Sequence, residues 1–117
     1  MLSMRQEQLD AFQKAAEDNF QEAVAAYLGE RFPEKFAHQP RDWQMKFIAT
    51  SLARAAVYGL ENEVDLVRFT EAGIRLGIGF DTAADCWAAA VMQNTSLGSA
   101  TERIGYIANQ LGPTVEE

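Results

Sequence analysis

Cysteine and histidine are nearly missing from this 117-residue chain, which carries one of each, Cys86 and His38. One cysteine cannot close an internal disulfide, so the sequence gives no sign of an oxidising compartment. One histidine cannot supply the several imidazoles of a zinc site, and the acids that a carboxylate-only site needs are dispersed along the chain. Long apolar runs are missing too. The least charged stretch, Cys86 to Thr101, is broken by Gln93, Asn94, Thr95, Ser96 and Gly98, and falls short of the ~20 apolar residues that cross a bilayer. The opening Met-Leu-Ser-Met-Arg-Gln-Glu holds no apolar run of the signal-peptide kind, and the expected location is the cytoplasm.

Basic charge is also scarce: ten Lys and Arg stand against 17 Asp and Glu, a net charge of −7. Only residues 37–58 are locally basic, with Arg41, Lys46 and Arg54 against Asp42. Three cations in an acidic protein make a poor footprint for nucleic acid, whose affinity comes from many Lys and Arg on one face. The same balance disfavours anionic lipid. A protein partner is the easiest kind to reconcile with it.

What the chain does contain is helical periodicity, in a composition that is 48% apolar and 23% charged. Ser3 with Gln6 reads as a capping box, and Leu9, Phe12, Ala16, Phe20, Ala23 and Tyr27 then recur at three- and four-residue spacings opposite Glu7, Lys14, Asp18 and Glu22. This first helix is expected to end near Leu28 or Phe32, where Gly29 weakens it and Pro33 stops it. Phe32 to Phe36 reads as a short helical turn. A second helix is expected from Arg41, after Pro40, to Tyr58 before Gly59, and a third, capped by Asn62, over Glu63 to Leu76. Asp81 or Thr82 is expected to cap a fourth over Ala83 to Gln93. Ser99 with Glu102 forms a second capping box for the last helix, along which Ala100, Ile104, Ile107 and Leu111 share a stripe with Tyr106 opposite. Gly112-Pro113 ends it, leaving Thr114 to Glu117 as a frayed tail. With no alternating strand pattern, the expectation is an all-α single domain over residues 1–117, a compact bundle of about five main helices with short connections.

Candidate chemistry is thin, and the expectation is a non-enzymatic protein with no catalytic, cofactor or metal residues. Cys86 sits near an expected helix start, where a thiol becomes more acidic, and pairing with His38 would make a nucleophile. Its neighbours Ala83, Ala84, Trp87, Ala88, Ala89 and Ala90 instead describe a buried structural cysteine. Gly77-Ile78-Gly79 begins like a phosphate turn, but position 82 is Thr rather than Gly and no strand precedes it. Gly73 and Gly77 allow close helix approach or simply mark a helix end, the latter being the simpler reading. Glu61, Glu63 and Asp65, the densest acids, complement a helix dipole.

The second helix is the informative one. Met45, Ile48, Leu52, Ala55 and Ala56 define its main apolar arc, while Trp43 and Phe47 leave that arc beside Lys46, Thr50 and Arg54. Either other helices cover these aromatics, or Trp43, Phe47 and Arg54, extended by Phe36, form a partner-binding patch with the composition of an interface hot spot.

Arg5-Gln6-Glu7-Gln8-Leu9 with Phe12, Phe32-Pro33, Tyr58-Gly59-Leu60-Glu61-Asn62-Glu63-Val64 and Leu76-Gly77-Ile78-Gly79-Phe80-Asp81 occur in that order. The series resembles a group of small helical proteins encoded beside effectors of the bacterial type VI secretion system, and the likeness runs from residue 5 to about 90. It implies a cytoplasmic co-chaperone that works with an adaptor chaperone to stabilise a toxic effector and load it, through its PAAR domain, onto the secretion spike. It brings no active-site residues with it, and its motifs are mostly helix ends and core positions. Two other readings stay open. An immunity protein would use acidic faces around Glu61, Glu63 and Asp65, or Asp18 and Glu22, to block a basic active site, and a small regulatory module would bind some other protein.

Overall fold

The computed structural model describes residues 6–112, with side chains from position 19 onward. Among these residues there are helices and turns and no strands: α1 (Gln6–Arg31), a π-helical turn (Pro33–Ala37), α2 (Arg41–Val57), α3 (Glu63–Leu76), α4 (Trp87–Gln93), a 3-10 turn (Thr95–Leu97) and α5 (Ala100–Leu111). The expected all-α class is what the structure has. The capping box at Ser3 and the tail from Thr114 lie outside the described residues, as do the side chains of Leu9, Phe12 and Ala16.

Local signals explain most helix ends. At α3, the Asp65 backbone N–H donates to Asn62 Oδ1 at 2.9 Å. At α5, the Glu102 N–H donates to Ser99 Oγ (3.1 Å) and the Ser99 N–H donates to Glu102 Oε1 (3.0 Å). Those bonds favour the ionised carboxylate and hold Glu102 below its ordinary pKa. Helix α1 runs through Gly29 to Arg31, and the π-helical turn packs against it there: a Cβ on Gly29 would sit 4.0 Å from that of Ala37. Pro33 then forces the wider turn, in which Ala37 N–H reaches back to Phe32 O at 3.0 Å.

The start of α4 differs from expectation. Gly77 to Cys86 is a chain of turns, with Phe80 N–H donating to Gly77 O, Thr82 N–H to Gly79 O and Cys86 N–H to Ala83 O, and the helix begins only at Trp87 behind Cys86. The reason is that the Asp81 carboxylate is used elsewhere. Buried to 3% exposure, it accepts from Arg54 Nε (2.9 Å) and Tyr58 Oη (2.7 Å) on α2, while Gln93 Nε2 donates to the Asp81 carbonyl (2.9 Å). It is therefore not available to cap.

Two apolar clusters result. One gathers Ala55, Leu60, Phe69, Phe80, Met92, Ile104 and Ile107 from α2 to α5; the other gathers Val24, Leu28, Phe32, Phe36, Phe47 and Ile48 from α1, the π-helical turn and α2. Each fully buried Phe or Leu contributes about 2 kcal/mol. Helices α2 and α3 supply residues to both clusters, and Gly73 brings them close: a Cβ there would meet Phe47 Cζ at 3.4 Å and Ser51 Oγ at 3.7 Å. Gly73 thus serves close approach, while Gly77, with φ of 104°, ends the helix. Helix C-termini are closed by arginines. Arg75 donates to Leu111 O (2.7 Å) and Gly112 O (3.0 Å), and the buried Arg103 guanidinium donates to the Met92 and Gly98 carbonyls.

Tyr58 generates an alkaline prediction. Burial first, then its hydrogen bond to Asp81, push its phenol from 10.0 up to about 12. Because the folded pKa is raised, the stability this group contributes is intact below pH 10.0 and is lost as the pH rises through about 12. Phenolate absorbance should show a late-titrating tyrosine that Tyr58→Phe removes; titration of every tyrosine together near the ordinary value contradicts the network. Asp81→Ala should cost about 2 kcal/mol in urea unfolding, since it strands Arg54 and the Tyr58 hydroxyl. In contrast, Ser51 Oγ is buried with no hydrogen-bond partner among the described residues, so Ser51→Ala should leave the protein as stable or raise it by about 1 kcal/mol. A lowered melting temperature in that variant argues for a hidden partner.

Candidate protein-binding groove

Helical spacing places Trp43, Phe47 and Thr50 along one stripe of α2, at i, i+4 and i+7. The two rings stack, with centroids 5.1 Å apart and planes 18° from parallel, and the edge of Phe36 meets both at 6.1 and 6.4 Å. Gln44 fixes the turn that carries Phe36, its Nε2 donating to Phe36 O (3.0 Å) and Gln39 O (3.1 Å). The turn that carries Phe36 is thereby tied to α2. Phe36 is fully buried and Phe47 nearly so, whereas Trp43 remains 39% exposed.

An open groove of ≈ 650 Å³ runs from this stack to the end of α3. It is lined by the buried Phe47 and Gly73 together with Trp43, Ile74 and the half-exposed Ile78, and its charged lining residues are Lys35 and Lys46. Ile78 sits there because Gly77 and Gly79, both at positive φ, turn the chain sharply on each side of it. The Asp81 network holds the following turns in place.

The four residues singled out from the sequence therefore have different positions. Phe36, Trp43 and Phe47 do come together, and of the two alternatives open from the sequence Phe36 and Phe47 follow the first, being covered: the π-helical turn and Gly73 allow both rings into the core. Only Trp43 offers a broad surface. Arg54 lies further along α2, where its guanidinium is held by Asp81 and by Thr82 Oγ1 (3.1 Å), so it braces the loop instead of extending the patch. Sequence reasoning missed Lys35, Ile74 and Ile78. An isoleucine between two turn glycines is the signal that was there to find.

Other candidates fall in place around this groove. His38 caps the π-helical turn 3.8 Å from Glu34, while Cys86 packs against the cluster drawn from α2 to α5. Asp65 turns inward at 2% exposure and accepts from Thr101 Oγ1 (2.6 Å) and Asn62 Nδ2 (2.8 Å), which removes it from any acidic surface. Glu22 is paired with Arg41. Tyr106 is half exposed. Among the described residues no helix is long and apolar enough to cross a membrane, and no three His, Cys, Asp or Glu cluster as metal ligands. A second groove of ≈ 440 Å³ between α1 and α3 is lined by Phe20, Val24, Tyr27, Val64, Val67 and Arg68 among others. Tyr27 beside it donates to Glu71 (3.0 Å), and burial together with that carboxylate raises its phenol pKa.

No protein-family model, characterised protein or solved structure matches this chain.

Proposed function

We propose that the chain is a non-enzymatic, cytoplasmic protein-binding module that acts as a co-chaperone, holding an adaptor chaperone or a PAAR-containing effector for type VI secretion. The observation that carries the protein-binding part is the half-exposed Trp43, stacked on a buried ring at the mouth of an open apolar groove. A preorganised aromatic loses little freedom on binding and anchors interfaces for about 2 kcal/mol or more. The secretion role is supported by the ordered motifs that resemble proteins encoded beside type VI effectors.

The test is a pull-down of tagged protein from its native host, with bound proteins identified by mass spectrometry and Trp43→Ala run alongside. An adaptor with a PAAR effector should be recovered with wild type and lost in the variant. The variant's melting temperature should fall by no more than about 4 °C, because Phe36 and Phe47 remain to fill the core. Unfolding of the variant makes Trp43 a core residue; recovery of neither protein by wild type removes the secretion role.

A further inference from the structure

Arg54 stands on the same stripe of α2 as the aromatic residues of the groove. Trp43, Phe47, Thr50 and Arg54 recur at i, i+4, i+7 and i+11. The first three line the groove, whereas Arg54 lies ~16 Å along the helix axis from Trp43 and is not among the described residues that do. What its guanidinium meets is the chain just after Ile78. Nε donates to Asp81 Oδ1 at 2.9 Å, Nη2 stands 2.9 Å from the same oxygen and donates to Thr82 Oγ1 at 3.1 Å, and a Cβ on Gly79 would meet Nη2 at 3.9 Å. Two of the four residues that follow Ile78 are thus bonded to one side chain of α2, and a third lies alongside it. Ile78 needs such a hold. It occupies the second position of a tight turn, closed by Phe80 N–H donating to Gly77 O at 3.1 Å, and the glycines on either side, at φ of 104° and 89°, have the widest backbone freedom of any residue. Ile78 is itself 48% exposed, so its own burial supplies only part of the hold. The buried Phe80 fixes the turn to the core, and Arg54 fixes it to the helix that carries Trp43 and Phe47.

Resting on the protein-binding reading above, we infer that Arg54 is a positioning residue for the groove: it meets no occupant, and it sets how well a partner's apolar side chain is held by keeping Ile78 in register with Trp43 and Phe47. Its charge is not what acts, since Asp81 offsets it. Arg54→Lys keeps that charge and loses the planar fork that reaches Asp81 and Thr82 together. Partner binding therefore depends on Arg54 without any contact between Arg54 and the partner.

The intact protein should be used to select from a displayed library of random dodecapeptides, and a peptide that binds wild type but not Trp43→Ala serves as the probe; where the library yields none, the Trp43-dependent protein from the host pull-down takes its place. Ile78→Ala should weaken binding about tenfold, the contribution of one buried branched side chain. Arg54→Lys should weaken it severalfold, and the double variant should match Ile78→Ala alone to within about twofold, because both changes remove the same contact. Without any probe, Arg54→Lys should speed hydrogen exchange at the Phe80 and Thr82 amides, which close the turns around Gly79, more than at the Phe69 amide within α3. Losses that multiply in the double variant, binding by Arg54→Lys equal to wild type, or a uniform rise in exchange overturns the inference and leaves the protein-binding reading standing. If Arg54→Lys fails to fold, Thr82→Val enters the cycle in its place and the same outcomes decide, since it removes one Arg54 contact without stranding the buried Asp81 carboxylate. A library and a pull-down that both ignore Trp43 defeat the protein-binding reading itself, and this inference with it.

Discussion

The buried carboxylate of Asp81 is the constraint on which the C-terminal half is organised. Leaving a carboxylate in a protein interior without partners costs several kcal/mol, so the fold brings Arg54 and Tyr58 to it from α2. Gln93 from α4 reaches both the Tyr58 hydroxyl and the Asp81 carbonyl. Three segments distant in sequence are thereby tied at one point. The ten residues between α3 and α4 form only turns, and this tie gives them a fixed course. Ile78 takes its place beside the groove as a consequence.

The second organising fact is that α2 and α3 serve two apolar clusters at once. Each helix therefore buries side chains on more than one face, which is why apolar residues on α2 extend beyond its main stripe. Gly73 permits the two helices to come near enough for Phe47 to be nearly buried while it still lines the groove. Trp43, one turn earlier, stays 39% exposed. The groove lies beside the cluster to which Phe47 and Ile74 belong.

Local signals were legible and distant ones were not. Asn62 and the Ser99–Glu102 box are short-range hydrogen-bond patterns, and the helices they begin start where the sequence places them. Asp81 carries the same kind of signal, yet its carboxylate bonds to a residue 27 positions away, so α4 starts later than local reading expects. At the candidate site, Trp43 and Phe47 stood out because one helix displays them together. Lys35, Ile74 and Ile78 come from three other places in the chain and share a surface only after folding. The burial of Phe36 depends on the π-helical turn, which Pro33 hints at without specifying its width.

Both tryptophans belong to this arrangement in a useful way. Trp43 is stacked in the cluster built from α1 and α2, and Trp87 opens α4, which packs into the other. One tryptophan thus reports on each of the two clusters. Coincident or separate changes in their emission distinguish a domain that unfolds in one cooperative step from one whose two apolar clusters come apart separately.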